Sequence, residues 1–586
     1  MSFNNPTFPG VYTRLEADVP RTITGVSTSI TAFVGRALRG PIGAKKIFSW
    51  TEYERLFGGL WEDSKMSYAV YDYFLNGGSE AVICRVFARK ELTAGDGRGR
   101  YELKINDEKS ITLIARDPGQ WSKNLQIVFS KLNGLFEEEE PDKKKYLANL
   151  EITDAHTGIA EKHLKVSLEV SNPRFIGKIL KSYSNLLRLQ GYTEDEGEET
   201  TIPGLKGDFA EQEFLGYYPQ VKKKNEEDEE IDEMKKTVAN RAEFRKIISN
   251  VELTPIEIMK AGEPPVEEYS ANDGDDLKTD HVKGDSDFLL LDVDSPTPLK
   301  MGLSVLRDDV DLFNILSIPQ FADTETWYSI YSDPALSICE KRRAFLLIDP
   351  KEGWNSWDKP LDDADLKKLR SRNSGLFFPR IMKRDPANEF RIKDFVPSGA
   401  VAGIFARTDA NVGVWKAPAG IEAMIRGIAG LSLKLTEEEN GNLNVKAVNC
   451  LMDKPLGGPV IWGSRTRVGS DTEGSPWKYI PVIRMGLFIE ESLYRGTQWV
   501  VFEPNDEPLW SEIRLSIGAF MHNLFRKGAL QGASPKEAYF VKCDKETTTE
   551  YDRNSGIVNI IVGFAPLKPA EFVLIKITQI SGEVSQ

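Results

Sequence analysis

The first residues of the chain follow the pattern of an extended segment. Residues 1–30 carry three prolines and alternate valine, tyrosine and isoleucine with polar residues. Proline and alternation of this kind favour extended backbone over helix. We therefore predict an extended N-terminal arm, residues 1–30, that ends in a strand.

From Thr31 onwards the pattern alternates between strands and helices. The spacing of apolar residues predicts a strand at Ala32–Val34, helices at Ser49–Phe57 and Tyr68–Asn76, and a strand at Ala81–Phe87. The alternation returns after residue 286, where it predicts strands at Leu312–Ile318, Ala344–Ile348 and Gly375–Phe378 and helices at Pro334–Lys341 and Asp362–Arg372. Such apolar strands are typical of a sheet covered on both faces, so we expect α/β layering.

The segment between these two parts, residues 91–285, has a different character. Its long charged runs, Glu137–Lys145, Glu194–Glu199 and Lys222–Lys236, predict solvated loops and helix faces, with an electrostatic docking site as the alternative. Strand-like alternation at Tyr146–Asp154 and Lys162–Val170 and helical spacing at Phe175–Leu189 lie within the same segment. We interpret it as one or two inserted, outward-facing domains.

After Pro397 the pattern predicts glycine- and proline-rich turns, one long helix and an extended end. The helix, Pro508–Gly528, carries an apolar face of Leu509, Ile513, Ile517, Phe520 and Leu524, and its charged residues, Arg514, His522, Arg526 and Lys527, lie nearer the other faces. Two strand-like runs close the chain, Ile557–Val562 and Phe572–Ile577.

Composition narrows the class of protein. A chain of 586 residues is long enough for about three or four domains. A net charge of -14 argues against broad contact with nucleic acid, which requires a concentrated basic surface. The longest apolar runs, such as Phe288–Leu291, are far shorter than the roughly 20 residues that cross a bilayer, so we expect no direct membrane insertion.

The cysteines and the start of the chain indicate an intracellular origin. Cys84, Cys339, Cys450 and Cys543 are far apart and form no C-x-x-C pair, so we expect reduced thiols in the core. Residues 1–10 lack the basic and apolar regions of a secretion signal. We expect synthesis and assembly in the cytoplasm, and release by a route other than Sec export.

The residues that carry catalysis are hard to find in this sequence. His156 and His163 are seven residues apart, which does not match the i, i+4 spacing of a helical zinc site. Gly35–Gly40 has the glycine spacing of a phosphate-binding loop, but Pro41 and Ile42 stand where lysine and serine or threonine are needed. No G-x-S-x-G nucleophile motif occurs. We therefore expect no catalytic residue, cofactor or metal, with an α/β enzyme that has a hidden site as the alternative.

One stretch of the sequence is specific enough to indicate a protein family. Residues 396–420, VPSGAVAGIFARTDANVGVWKAPAG, closely resemble the core signature of phage tail sheath proteins, P-S-G-x-x-A-G-x-x-A-R-x-D followed by G-V-W-K-A-P-A. Further motifs follow the order of that family: Pro9–Tyr12, Gly25–Ser29, Ala32–Arg36, Arg39–Pro41, Phe74–Gly78, Cys84–Val86, Asn314–Pro319, Cys339–Arg343, Leu347–Pro350, Ile461–Thr466, Val501–Asn505, Leu509–Trp510, Gly528–Gly532, Glu537–Tyr539, Ala565–Pro566 and Pro569–Phe572. The resemblance covers roughly residues 1–90 and 290–586.

The resemblance implies a multidomain α/β and α+β fold with an inner core built from both chain ends and outer inserted domains. The corresponding division is an arm (1–30), the first part of the core domain (31–90), the insertion (91–285), the second part of the core domain (286–395) and a C-terminal inner domain with a terminal strand arm (396–586).

The family also implies a function. It implies a subunit that polymerises helically around an inner tube and contracts, with baseplate and tail terminator proteins as further partners, in a virion tail or a contractile injection particle. Arms at both chain ends then contact neighbouring subunits through Val11, Tyr12, Val26, Ile557, Val558, Ile560, Phe572, Leu574 and Ile575. Ordinary edge strands of the subunit's own sheet are the alternative for these residues.

Two further alternatives stay open. The resemblance implies that the polar side of the helix Pro508–Gly528 faces the tube through Arg514, His522, Arg526 and Lys527, but these charges would also suit a face in contact with solvent. A non-contractile surface or adhesion protein predicts a secretion signal or a disulfide framework, and the sequence indicates neither.

Overall fold

A computed structural model describes residues 22–86, 98–192 and 302–572, without residues 42, 105–109, 118–119, 132–146, 156, 168–171, 320–321, 323–326 and 456. Most of the predicted N-terminal arm, the three charged runs of the insertion and the last fourteen residues, 573–586, lie outside the described residues.

The described strands are, in chain order, β1 (Thr31–Gly35), β2 (Ala44–Ile47), β3 (Ala81–Arg85), β4 (Arg100–Lys104), β5 (Ser110–Ala115), β6 (Leu125–Lys131), β7 (Leu147–Asp154), β8 (Ala160–Ser167), β9 (Leu187–Leu189), β10 (Ile315–Ser317), β11 (Phe345–Ile348), β12 (Ser374–Phe378), β13 (Ile381–Asp385), β14 (Arg391–Phe395), β15 (Gly430–Leu431), β16 (Val448–Lys454), β17 (Gly458–Ile461), β18 (Tyr539–Lys542) and β19 (Ile561–Phe564).

The described α-helices are Trp50–Phe57, Lys65–Leu75, Ile176–Tyr183, Leu303–Asp308, Trp327–Ile330, Leu336–Lys341, Lys359–Asp362, Ala364–Lys368, Ser398–Asn411, Glu437–Val445, Ile480–Gly496, Glu507–Arg526, Pro535–Ala538 and Glu550–Asn554. Short 3₁₀ helices span Gln120–Asn124 and Gln498–Val500, and a π-helical turn spans Tyr331–Ala335.

Eight strands form a central sheet in the order β17-β16-β12-β11-β10-β1-β3-β2. The six inner strands are parallel, and the edge strands β17 and β2 run antiparallel to their neighbours. All five strands predicted for this part of the fold are present as β1, β3, β10, β11 and β12. The sheet also takes β16 and β17 from the segment predicted as the C-terminal inner domain.

Side chains of the inner strands alternate between two cores, one on each face of the sheet. In β1, Ala32 and Val34 point into one core and Phe33 points into the other. The predicted helices at Ser49–Phe57 and Tyr68–Asn76 are confirmed, and both cover the face that contains Phe33. The expected α/β layering, with a sheet covered on both faces, is therefore confirmed.

The insertion contains a smaller unit, residues 98–192, with its own core. Two three-stranded antiparallel sheets, β4-β5-β9 and β6-β7-β8, pack with the helix Ile176–Tyr183. A buried ion pair joins this unit to the loop after β1: Arg39 Nη1 donates to Asp154 Oδ2 at 2.8 Å, and each side chain is about 1% exposed.

The helix predicted at Phe175–Leu189 is too long. The helix ends at Tyr183, and Leu187–Leu189 form β9 instead. The cause is Ser184, whose Oγ accepts hydrogen bonds from the backbone N–H groups of Leu186 and Leu187. Serine favours such local turns over a continued helix.

The helix Ser398–Asn411, which we call the glycine helix, replaces turns expected after Pro397. Its glycines do not break it, because they face the helix Lys65–Leu75. A Cβ atom on Gly399 would clash with the carbonyl oxygen of Ala69, and one on Gly403 would lie 2.5 Å from the carbonyl oxygen of Tyr73. The two glycines therefore bring the two helix backbones into direct contact.

We predict that Gly399→Ala lowers the free energy of unfolding by about 1–3 kcal/mol, because the added methyl group overpacks a rigid backbone contact. The control is Gly441→Ala in the helix Glu437–Val445, where a Cβ atom meets nothing within 4 Å. That change should stabilise the protein by about 0.5–1 kcal/mol. Urea unfolding measures both variants, and equal effects would contradict the assigned contact.

Candidate functional site

The described end of the N-terminal arm lies against the helix Ile480–Gly496. We call residues 22–30 the arm root. The backbone N–H of Val26 donates to Ser492 Oγ at 3.2 Å, and Arg484 Nη2 donates to the carbonyl oxygen of Thr28 at 2.8 Å. Ile23 is buried beside Gly496, where a Cβ atom would lie 2.6 Å from its side chain. Of the three predicted arm contacts in this part of the chain, Val26 belongs to the arm root, and Val11 and Tyr12 lie outside the described residues.

Arg484 also binds the glycine helix. Its Nη1 and Nη2 atoms donate to the two carboxylate oxygens of Asp409 at 2.9 and 2.6 Å, and both side chains are about 3% exposed. The guanidinium lies over the ring of Phe405, 4.9 Å from its centroid. Asp409 is the acidic residue of the A-R-x-D signature. One buried side chain therefore joins the arm root, the glycine helix and the helix Ile480–Gly496.

The C-terminal tail has a comparable anchor. We call residues 565–572 the tail root. Arg465, whose side chain is fully buried, donates from Nε and Nη2 to the two carboxylate oxygens of Glu571, both at 2.7 Å. Arg465 Nη1 also lies 3.1 Å from Asp471 Oδ1. Burial acts to lower the pKa of Arg465, but hydrogen bonds and charges of Glu571 and Asp471 outweigh it and raise that pKa.

The strand predicted at Ile557–Val562 begins later, at Ile561. The backbone N–H of Ile557 donates to the carbonyl oxygen of Asp552, and that of Asn559 donates to Thr548 Oγ1, so neither group is available to a sheet at that point. Ile557 is exposed, whereas Val558 and Ile560 pack against the C-terminal core.

The remaining strand of this region, β19, pairs antiparallel with β18 of the same chain. Among the described residues these two strands form a sheet of their own, so each has one edge without a neighbouring strand. Phe572 is exposed and lies in no strand, and the rest of the predicted strand Phe572–Ile577, including Leu574 and Ile575, lies outside the described residues. Whether these residues contact another subunit stays a prediction.

The helix Glu507–Arg526 has the predicted apolar face. Its five predicted residues, Leu509, Ile513, Ile517, Phe520 and Leu524, are buried in the C-terminal core. The four residues predicted to face the tube differ in exposure. Arg514 is bound within the subunit, because it donates to Glu507 Oε1 at 2.7 Å and to the carbonyl oxygen of Cys543. His522, Arg526 and Lys527 are exposed.

The loop with phosphate-loop glycine spacing has a different role in the fold. Its carbonyl oxygens face a cation: Arg85 Nε donates to the carbonyl oxygen of Ala37 at 3.1 Å and Nη1 donates to that of Gly40 at 2.9 Å. A phosphate loop instead presents backbone N–H groups to its anion. The loop therefore binds Arg85, and Gly40 supplies the positive φ of 127° that the turn requires.

Few other side chains in the described part of the chain are arranged for metal binding or catalysis. In it, no three His, Cys, Asp or Glu residues come together in a way that could hold a metal ion. The four cysteines are free and buried, as predicted, and burial raises the pKa of the Cys543 thiol to about 11. None of the described helices combines the length and the apolarity needed to span a membrane. His163 and His522 are described, and His156 and His281 are not.

Sequence reasoning did not identify the two buried arginine anchors. Arg465, Glu571 and Asp409 do fall in motifs quoted for the resemblance, which was the available signal. Arg484 and Ser492 carry no local signal, because their contacts form only when the arm root folds back onto a helix more than 450 residues away, as the separations of 456 and 466 residues show.

Comparison with known proteins finds similarity to tail sheath proteins in both sequence and fold. Residues 472–580 match the family described as the phage tail sheath C-terminal domain. A prophage major tail sheath protein of Pseudomonas aeruginosa (strain UCBPP-PA14) is 26% identical over 280 residues, which are 46% of this chain and 67% of that protein. The tail sheath protein of Enterobacteria phage T4 is 24% identical over 175 residues, 29% of this chain and 25% of that protein.

Solved structures share the fold over nearly the whole length. The sheath complex of an extracellular contractile injection system (PVC) in its contracted state matches with a TM-score of 0.51 and 16% identity, covering 98% of this chain and 99% of that one. The helical sheath of the anti-feeding prophage (AFP) in its contracted state matches with a TM-score of 0.50 and 20% identity, at the same coverage.

We predict that Asp409→Asn lowers the free energy of unfolding by about 3–5 kcal/mol, because it leaves the Arg484 charge buried without its counter-ion. The control is Asp311→Asn, which removes the partner of Arg495 on the same helix from a side chain that is 85% exposed. That variant should lose less than about 1 kcal/mol. Denaturant unfolding measures both, and similar losses would show that Arg484 does not depend on Asp409.

Proposed function

We propose that this chain, which is similar to tail sheath proteins in sequence and fold, is the structural subunit of a contractile sheath that polymerises helically around an inner tube and contracts to drive the tube through a target envelope. The observation that carries the proposal is the fold likeness over 98% of the chain to sheaths in the contracted state, together with the family match over residues 472–580. The proposed role is mechanical and involves no catalysis.

The partners in this proposal are first of all other copies of the same chain. A head-to-tail contact that does not close into a ring generates a helical polymer, as a sheath requires. The inner tube, the baseplate and a tail terminator protein are the further partners. We propose assembly in the cytoplasm and a final place in a virion tail or an extracellular injection particle.

Both chain ends act as links between subunits in this proposal. The arms, predicted as residues 11–29 and 557–577, reach neighbouring subunits and add strands to a shared sheet, in which backbone hydrogen bonds provide the affinity. Within them, residues 22–29 and 557–560 are the anchored parts, because their own subunit already binds them. Two features support this: β18 and β19 have edges without a described neighbour, and the arm root and the tail root are held by buried arginines. Because each root is anchored, a force applied to an arm is transmitted to the body of the subunit.

Contraction needs no nucleotide in this scheme. The extended polymer is a metastable packing, and contraction releases the free-energy difference between two packings of the same subunits. The exposed residues His522, Arg526 and Lys527 supply weak, screened contacts to an oppositely charged tube, which break row by row. Arg514 is the least suited of the predicted tube-facing residues, because Glu507 and Cys543 already bind its guanidinium.

The proposal predicts that the purified chain forms hollow tubes or rings in the electron microscope. Deletion of residues 1–20 should leave a folded subunit, because the arm root at residues 22–30 and its contacts remain, but should abolish polymerisation. Circular dichroism checks the fold of the truncated chain. A full-length chain that stays monomeric at high concentration would contradict the sheath assignment, and undiminished tube assembly by the truncated chain would contradict the role of the arm.

For the C-terminal arm we predict that Glu571→Gln shifts tube formation to higher protein concentration, because the tail root loses its charge pair with Arg465. The subunit should lose only about 1–3 kcal/mol of unfolding free energy, as one charged hydrogen-bonded partner is replaced. Asp471→Asn is the matched control, since Asp471 binds the same guanidinium but lies outside the tail. Light scattering against concentration compares them, and an equal shift in both variants would refute the role of the tail root.

A further inference from the structure

The turn at residues 500–503 has an unusual residue at its most restricted position. The backbone N–H of Glu503 donates to the carbonyl oxygen of Val500 at 3.2 Å, and Val501 has φ -67° and ψ 128°. Phe502 follows with φ 71°. These values describe a type II turn, whose third position favours glycine or asparagine because φ is positive there. A bulky aromatic residue at such a φ is a genuine outlier.

The side chain of Phe502 buries no surface in its own subunit that would offset the backbone strain. It is fully exposed, and the neighbouring Val501 is 59% exposed. Single exposed apolar residues are ordinary, but here full exposure and backbone strain fall on one residue. Strain of this kind persists only where the surroundings impose it, and it is concentrated at binding and switching sites.

The turn is held in a fixed position next to the C-terminal two-stranded sheet. Asn505 Nδ2 donates to the carbonyl oxygen of Ile557 at 3.0 Å, and Arg553 Nε donates to the carbonyl oxygen of Asn505 at 3.2 Å. The indole N–H of Trp510 donates to Asn505 Oδ1 at 2.9 Å. Phe502 is therefore presented rigidly beside the segment that leads into β19, which the proposed function assigns to contacts between subunits.

We propose that Phe502 is an anchor residue that inserts into a second copy of this chain in the polymer. The inference rests on the proposed self-assembly and extends it from backbone pairing to a side-chain contact. A second copy is the fitting partner because Phe502 lies within the residues that match the sheath domain, and Asn505, three residues further on, binds the segment that leads into β19, a strand with an open edge among the described residues. Each copy carries a net charge of -14, so net charge does not attract two copies to each other. A buried aromatic anchor suits their contact because its contribution does not depend on charge.

The test is Phe502→Asn, which keeps a residue that accepts positive φ and removes the aromatic ring. The isolated subunit should unfold at the wild-type temperature or above it, because the turn is relieved of strain. The critical concentration for tube formation should rise more than about tenfold, as expected for loss of a buried aromatic anchor. Phe502→Tyr should restore polymerisation. Tubes formed by Phe502→Asn at the wild-type concentration overturn the inference and leave the sheath assignment intact.

The matched control is Phe390→Asn at the turn between β13 and β14, where a phenylalanine also has a positive φ of 58° but is only 61% exposed and lies outside the matched residues 472–580. It should polymerise at the wild-type concentration, and a rise equal to that of Phe502→Asn would overturn the specific role of Phe502.

A photoreactive benzoylphenylalanine at position 502 identifies the partner. Cross-links to a second copy in the tubes support the inference, and cross-links only to a co-expressed tube protein overturn it. Failure of wild-type protein to form tubes would overturn the sheath assignment as well.

Discussion

A guanidinium that is removed from water must find opposite charge and acceptor oxygens inside the protein, and this requirement organises the C-terminal half of the molecule. Arg484 meets it with Asp409 of the glycine helix and the backbone of Thr28. Because the acceptors come from two distant parts of the chain, neither can move far without leaving the buried guanidinium short of a hydrogen-bond acceptor. Arg465 imposes the same condition on Glu571. Two arginines thus fix the arm root and the tail root to the folded body.

Five inner strands of the central sheet, β1, β3, β10, β11 and β12, could be predicted from the sequence because parallel strands buried on both faces are apolar throughout. The strands β2, β16 and β17 were not predicted. Ala344–Ile348 and Gly375–Phe378 needed no tertiary knowledge. The apolar face of the helix Glu507–Arg526 was equally accessible, since its period is local. By contrast, the glycine helix was missed because Gly399 and Gly403 resemble helix breakers until the partner helix Lys65–Leu75 is known.

The candidate site was less accessible to sequence reasoning. The pair Arg465 and Glu571 is separated by 106 residues, and no periodicity links them. Nor does any composition rule mark Phe502, whose significance depends on a backbone dihedral angle. The strand predicted at Ile557–Val562 began four residues too early because Asp552 and Thr548 take the N–H groups that a ladder would need. Motif resemblance indicated the right regions, but only tertiary structure gives the contacts.

The inserted unit at residues 98–192 leaves the sheet after β3 and the chain returns to it at β10, and both of these strands are neighbours of β1. The two strands are therefore about 10 Å apart, at two strand spacings. Because both strands run parallel to β1, the chain leaves the sheet at the carboxyl end of β3 and returns at the amino end of β10, and the connection between them can be lengthened, shortened or exchanged without a change in strand pairing. This arrangement makes the insertion a natural place for evolutionary divergence, and for grafting a foreign domain onto the protein.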